Sequence, residues 1–103
     1  MKVELTHAAE IALRTLADDD RRRVLAWCDH LRNWEHDETI RGRARRLNVP
    51  GYADVYVLTT TTDLRIFFTV EADRIEVTDI AFQESLRAVA QTSRGASSFS
   101  RYS

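Results

Sequence analysis

Apolar positions recur with a helical period in the first third of the chain. Between residues 18 and 34 they fall three and four positions apart, which places them on one face of an amphipathic helix. These positions are Val24, Trp27, Cys28, Leu31 and Trp34. A shorter apolar stripe runs through residues 6–16, where Thr6 is suited to cap a helix by accepting a backbone N–H. The pattern therefore predicts a helical hairpin over residues 6–16 and 18–34.

Residues 54–82 show the two-residue alternation of β-strands instead. A Thr-rich tip and the pair Ala72-Asp73 divide this segment into three strands of a meander. Residues 2–5 predict a short N-terminal strand, and residues 83–91 predict a C-terminal helix. The expected fold is α+β: a short N-terminal strand, a two-helix hairpin packed on a small, mainly antiparallel sheet, and a C-terminal helix.

Strand parity assigns the side chains of the meander to two faces. If Ala72 and Asp73 form a two-residue turn, Val70 faces Ile75 across it, and a slip of one residue would set apolar side chains against polar ones. The face expected under the hairpin holds Val55, Val57, Leu64, Ile66, Phe68, Val70, Ile75 and Val77. The second face is expected to hold Tyr56, Leu58, Arg65, Phe67, Thr78, Ile80 and Phe82.

The length of 103 residues is enough for one domain, which we place at residues 1–91, followed by a flexible, Ser-rich tail at 92–103. We see no secretory signal, no apolar run of the ~20 residues a membrane span needs, and a single cysteine, Cys28. These features favour a cytoplasmic protein without a membrane partner. The three histidines have no ligand-like spacing and no phosphate-binding glycine loop is present, so we expect no metal and no small-molecule cofactor.

The order of elements and two strand sequences resemble the RelE/ParE superfamily of toxins from type II toxin–antitoxin systems. The strand sequences are L-R-I-F-F-T-V-E at 64–71 and I-E-V-T-D-I-A at 75–81, and the resemblance covers roughly residues 2–90. It implies a RelE-like fold and a toxin held inactive by a cognate antitoxin protein. RelE-like members cut mRNA in the ribosomal A site without a metal, whereas ParE-like members poison DNA gyrase.

The resemblance also implies a role for Arg65, which matches the middle-strand arginine of the family. RelE-type cleavage uses the RNA 2′-hydroxyl as nucleophile, and a guanidinium stabilises the charge that develops on the phosphorane. The candidate catalytic residues are therefore Arg65 and, as a proton donor, Tyr56. The alternatives are that Arg65 only stacks over Tyr56 and Phe67 or pairs with a carboxylate near the sheet edge, and that Tyr56 is an ordinary strand aromatic. Most of the family's other acid and base residues have no counterpart in this sequence.

Four arginines fall within six residues of the connector before the meander, and they are the candidate RNA-binding residues: Arg41, Arg43, Arg45 and Arg46. On a short helix over 37–46, Arg41 and Arg45 would share a face. A toxin that docks on the ribosome must contact phosphates; the alternatives are a solvated connector and a contact with the antitoxin. We therefore expect inhibition of translation by ribosome-dependent mRNA cleavage. A gyrase inhibitor, and a degenerate toxin that only binds its antitoxin, are the alternatives.

Overall fold

The computed structural model of the protein describes residues 1–47, residue 51 and residues 54–84. The predicted tail, and the predicted C-terminal helix beyond Glu84, lie outside these residues. In chain order the elements are β1 (Lys2–Leu5), α1 (His7–Arg14), α2 (Asp18–Leu31), α3 (Glu38–Gly42), β2 (Ala44–Leu47), β3 (Val55–Thr59), β4 (Leu64–Val70) and β5 (Arg74–Phe82). No helix in the described part of the chain is long and apolar enough to cross a membrane.

The strands form one mixed sheet in the order β1-β5-β4-β3-β2. Strand β1 pairs with β5 in parallel, and all other pairs are antiparallel. Helices α1 and α2 cover one face, where buried residues of the helices, such as Val24 and Leu31, pack in one cluster with Phe68 and Ile75 of the sheet. The predicted α+β class, the N-terminal strand, the helical hairpin and the meander are all confirmed.

The start of helix α1 is fixed by Thr6. Its hydroxyl accepts a hydrogen bond from the Ala9 N–H at 3.2 Å and donates to the Thr78 carbonyl at 3.2 Å. Helix α2 has no side-chain cap, but Asp18, Asp19 and Asp20 place negative charge in its first turn, where the helix dipole is positive. The two helix starts follow from these residues, and both helices end earlier than the apolar pattern predicts.

The predicted face assignment is wrong for strand β3. Tyr56 pairs with Phe68 and Leu58 pairs with Ile66, so Tyr56 and Leu58 lie on the helix-covered face, and Val55 and Val57 lie on the open face. Alternation alone could not decide this, because both sets of side chains in this strand are apolar. The face of each β3 side chain is set by the turn after this strand. The turn buries Thr60, whose hydroxyl donates to the Leu64 carbonyl at 2.8 Å. A polar side chain is tolerated in the interior when its hydrogen bond is made locally.

A β-bulge changes the face assignment in strand β5. The register shifts between Phe67 and Phe68, where β5 has one extra residue, Thr78. Beyond a bulge the parity of the longer strand changes relative to its partner. Ile80 and Phe82 therefore belong to the helix-covered face, and their predicted position on the second face is wrong. On the other side of the bulge the predicted turn at Ala72-Asp73 is confirmed, because Val70 pairs with Ile75.

The connector contains a strand that the sequence pattern does not predict. Helix α3 is only five residues long, and its N-terminus is capped by Asp37, which accepts from the Thr39 and Ile40 N–H groups. Strand β2 follows at once and forms an edge of the sheet. The predicted helix over 37–46 is thus right only in its first half, and the predicted shared helical face of Arg41 and Arg45 is wrong. Charged side chains are common on edge strands, because they discourage pairing with other chains.

Candidate functional site

The open face of the sheet holds a cavity of about 700 Å³. It lies where β2, β3 and β4 run side by side, next to the residue that follows β5. The described residues that line it are Gly42, Arg43, Ala44, Arg45, Leu47, Val57, Thr59, Arg65, Phe67 and Gln83. This set contains three arginines and no aspartate or glutamate. The described lining therefore carries positive charge, which attracts anions.

Arg65 lies on the open face, as the sequence predicts, and opposite Thr59 of strand β3. Its Nη1 donates to the Thr62 carbonyl at 3.0 Å and to the Leu64 carbonyl at 2.9 Å. No carboxylate among the described residues forms an ion pair with it. Two backbone carbonyls therefore hold the guanidinium in place without neutralising its charge. This leaves Nε and Nη2 without a described partner, and these two nitrogens form the side-on edge that matches two phosphate oxygens.

Arg43 and Arg45 reach the cavity from the β2 side. The Arg43 Nε donates to the Thr59 carbonyl at 2.9 Å, and its guanidinium carbon lies 5.2 Å from the centre of the Trp27 ring of helix α2. Arg45 is exposed and pairs in register with Val57, whose other cross-strand neighbour is Phe67. Neither arginine has an ion-pair partner within the residues that the structure describes. Both charges thus add to that of Arg65.

The other two connector arginines do not line the cavity. Arg41 donates from Nη1 to the Trp34 carbonyl, and this contact ties the connector to the end of the helical hairpin. Arg46 forms an ion pair with Asp54. Its strand register with Tyr56 places it on the face opposite to Arg45. Of the four arginines predicted to bind RNA, the structure therefore brings Arg43 and Arg45 together with Arg65, and directs the other two elsewhere.

Tyr56 lies on the opposite face of the sheet from Arg65, which corrects the expectation that the two share a site. Its ring stacks on Phe68, with centroids 5.5 Å apart, and meets Trp34 edge-on at 5.2 Å. The reason is the register of β3, which turns even-numbered residues toward the helices. The contacts of Tyr56 are those of a core aromatic.

The described lining of the cavity is suited to bind an anion. Beside the arginines, its described lining offers only Thr59 and Gln83 as polar side chains, and neither titrates near neutral pH. Phe67 is a half-buried ring on the cavity side, where it offers a flat apolar surface. The alternation of β4 predicts its face correctly, whereas nothing in the sequence singles out Thr59, Gln83 or the contact of Trp27 with Arg43.

Cys28 is buried in the part of the chain that the structure describes. No group of three or more potential metal-ligating side chains occurs there. Burial raises the pKa of the Cys28 thiol to about 11, with a smaller contribution from the neighbouring Asp29 carboxylate. The thiol is therefore protonated at neutral pH and unsuited to act as a nucleophile. Cys28 belongs to the core, as its place in the apolar stripe predicts.

The sheet order and the helical hairpin that covers one face match the RelE-like fold of solved toxin–antitoxin structures, which confirms the predicted RelE-like fold. No family model and no curated protein matches the chain. Its likeness to solved structures is therefore a likeness of fold, at sequence identities below 25% for the three that follow.

Three solved structures illustrate that likeness. A chain of the archaeal RelE–RelB complex from Pyrococcus horikoshii is 22% identical with a TM-score of 0.61, over 79% of this chain and 92% of that chain. A chain of the toxin–antitoxin complex RelBE2 from Mycobacterium tuberculosis is 13% identical with a TM-score of 0.64, over 79% and 95%. A chain of the chromosomal ParDE system from P. aeruginosa is 20% identical with a TM-score of 0.51, over 80% and 95%.

Proposed function

We propose that this protein is the toxin component of a type II toxin–antitoxin system and that it cleaves mRNA on the ribosome, with its cavity as the RNA-binding site. The observation that carries the proposal is the charge of the cavity. Arg43, Arg45 and Arg65 line it, and the described lining has no carboxylate to neutralise them. Arginine is well suited to phosphate, because its planar fork matches two phosphate oxygens and stays charged.

The proposed reaction is attack of an RNA 2′-hydroxyl on the adjacent phosphate. The bond from O2′ to phosphorus forms, the bond from phosphorus to O5′ breaks, and negative charge builds up on the phosphorane oxygens. Arg65 is the residue best suited to stabilise this charge, because two backbone carbonyls already fix its guanidinium. Since the described lining has no histidine, carboxylate, lysine or tyrosine, we assign the proton transfers to solvent and the charge stabilisation to the protein.

Phe67 gives the cavity a surface for a nucleobase. The ring lies on the same face as Arg65 and Val57 and is half-buried, so one side is available for stacking. Stacking of a base on an aromatic side chain contributes about 1–3 kcal/mol and tolerates any base. The combination of guanidinium groups for the backbone and an aromatic ring for a base favours single-stranded RNA as the ligand.

A protein antitoxin is the proposed partner. The solved structures with the same fold include the RelE–RelB and RelBE2 toxin–antitoxin complexes. An antitoxin that carries acidic side chains would complement the three cavity arginines and block access of RNA to them.

Inhibition of DNA gyrase is the second candidate function. It is favoured by the lack of any acid or base side chain among the described residues of the cavity. The ParDE structure has the same fold, so the fold is compatible with this second candidate as well as with the first. Under this alternative the arginines would contact an acidic surface of the target rather than RNA.

Inducible expression in bacteria separates the two candidates. The variants are wild type, Arg65→Ala and, as a control of equal charge change, Arg46→Ala, whose side chain lies on the opposite face. Wild type should stop translation, and mapping of mRNA 5′ ends should show cuts within translated codons. Arg65→Ala should reduce cleavage roughly 100- to 1,000-fold, the usual loss when one donor to a developing anion is removed. Arg46→Ala should behave as wild type.

Three results would contradict the proposal. Arrested growth with intact mRNA would show that the protein does not act by cleaving mRNA. DNA damage with translation continuing at first would favour gyrase as the target. Absence of any growth effect from wild type would leave the chain as an antitoxin-binding module without toxicity of its own.

A further inference from the structure

Trp27 contacts the candidate site without lining it. The residue lies in helix α2, on the far side of the sheet edge from the cavity, and is half-buried. Its ring packs against the buried core cluster and also lies near two polar side chains: the His30 ring at 5.7 Å and the Arg43 guanidinium carbon at 5.2 Å. The second contact is a cation–π interaction, which attracts the charge to the ring face without neutralising it. Trp27 therefore contacts one of the three arginines that line the cavity.

Arg43 is held from three directions, and each contact limits its movement. Its backbone carbonyl accepts from the Thr59 N–H at 2.9 Å, and its Nε donates to the Thr59 carbonyl at 2.9 Å. The Trp27 ring lies 5.2 Å from the guanidinium carbon. An arginine side chain loses considerable rotamer entropy when it is ordered, and these contacts restrict Arg43 before a ligand arrives. Nη1 and Nη2 donate to no described residue, so the end-on edge of the guanidinium remains available.

The strand register places Arg43 and Arg65 in one row. Thr59 pairs with Arg65 on one side and bonds to Arg43 on the other, so the two arginines flank the same residue of β3. Arg43 keeps its end-on edge, since Nε is used, and Arg65 keeps its side-on edge, since Nη1 is used. Two guanidinium groups that are fixed before binding and expose different edges suit the several oxygens of a phosphodiester backbone.

We propose that Trp27 is a positioning residue, which holds the Arg43 guanidinium at the cavity wall so that Nη1 and Nη2 bind an RNA phosphate. The inference rests on the proposed function in one respect, namely that the anion is an RNA phosphate. The positioning of Arg43 by Trp27 for an anion does not depend on RNA cleavage.

Binding of a short, fluorescein-labelled single-stranded RNA with 2′-O-methyl sugars, which cannot be cleaved, tests the proposal with the full chain. Fluorescence anisotropy at several KCl concentrations gives both the Kd and the salt dependence. Arg43→Ala should lower the slope of log Kd against log salt by about 0.7, the value for one phosphate contact with a single strand. Trp27→Leu should raise the Kd about two- to fivefold, the loss expected for one exposed cation–π contact. Trp27→Phe, which keeps a ring, should restore most of the affinity.

A double-variant comparison separates positioning from general damage to the fold. In the Arg43→Ala background, Trp27→Leu should cause no further loss of affinity, because its effect passes through Arg43. The matched control is Trp34→Phe, since Trp34 packs against Tyr56 and Phe68 on the covered face. This control should lower the melting temperature and leave the Kd unchanged. An equal loss from Trp27→Leu with and without Arg43 would overturn the proposal.

Tryptophan fluorescence supplies a readout that does not depend on RNA. The chain has two tryptophans, so Trp34→Phe leaves Trp27 as the sole emitter. Inorganic phosphate should change its emission in this variant and should not do so once Arg43→Ala is added.

If wild type binds no RNA but phosphate gives this Arg43-dependent change, the proposed function fails and the positioning role stands. If wild type binds RNA and Trp27→Leu binds it equally well, the positioning role fails and the proposed function stands. If neither RNA binding nor the emission change is seen, both are overturned.

Discussion

Tyr56 is the residue for which the sequence and the structure disagree most clearly, and a pair of variants decides between them. A catalytic Tyr56 needs its hydroxyl, whereas a core Tyr56 needs its ring. Tyr56→Phe removes only the hydroxyl, which makes no hydrogen bond to another described residue. We expect this variant to keep wild-type stability to within about 0.5 kcal/mol, as is usual away from buried polar networks, and to keep wild-type activity.

The ring is expected to matter for stability. Tyr56 stacks on Phe68 and meets Trp34 edge-on, at centroid distances of 5.5 and 5.2 Å. Replacing a fully buried large aromatic with alanine costs about 3–5 kcal/mol. Tyr56 is half-buried, so we expect about 2–3 kcal/mol for Tyr56→Ala, of which the two aromatic pairs account for a substantial part. In a domain of this size that corresponds to a fall in Tm of roughly 10–20 °C.

Two assays on the same preparations test this reasoning. Thermal and urea denaturation followed by circular dichroism gives the stability of each variant, and cell-free translation followed by 5′-end mapping gives mRNA cleavage. The expected result is that Tyr56→Phe matches wild type in both assays and Tyr56→Ala is much less stable. Loss of cleavage in Tyr56→Phe at unchanged stability would refute the core role and would return Tyr56 to the catalytic site.

Three further predictions follow from single contacts. Arg45 and Arg46 are neighbours on opposite faces of β2, so Arg45→Ala should lower the salt slope of RNA binding by about 0.7, while Arg46→Ala leaves it unchanged in the same anisotropy titration. Burial raises the pKa of Cys28 from 9.0 to about 11. The contribution of the neutral thiol to stability is therefore complete below pH 9 and is lost as the pH rises toward 11. Over that interval, wild type should lose about 2–3 kcal/mol more of its free energy of unfolding than Cys28→Ala, as measured by urea titrations. Thr6→Ala removes the cap of helix α1 and should cost about 1 kcal/mol in the same assay, with a loss under 0.3 kcal/mol counting against a capping role.

The fold could be predicted from the sequence because its strongest signals are local. The apolar stripe of α2, the cap at Thr6 and the turn at Ala72-Asp73 each fix one element through interactions within a few residues. The order of these elements along the chain then predicts the α+β topology that the structure has. The alternation of side chains in β4 predicts the correct face for Arg65. Consistency among such local signals is what makes a fold predictable.

The site could be predicted less completely because it depends on register and on long-range contacts. The face of Tyr56 depends on how many residues the turn after β3 uses, and the faces of Ile80 and Phe82 depend on one extra residue at a bulge. A shift of one residue in either place exchanges the two faces of a strand. The grouping of Arg43 with Arg65 requires strand β2, whose four residues include two arginines and show no clear strand pattern.

The parallel pairing of β1 with β5 determines how late in synthesis the sheet can finish folding. Strand β1 is made first, yet its pairing partner begins at Arg74, and the Thr6 N–H bonds to the Val77 carbonyl. Contacts between such distant parts of a chain form late and slow folding. A growing chain on the ribosome therefore has no finished sheet until strand β5, which ends at Phe82, has been synthesised. Chains truncated before Arg74 should be digested rapidly by a protease that spares the full-length protein, and equal resistance of both would show that the early part folds without its partner strand.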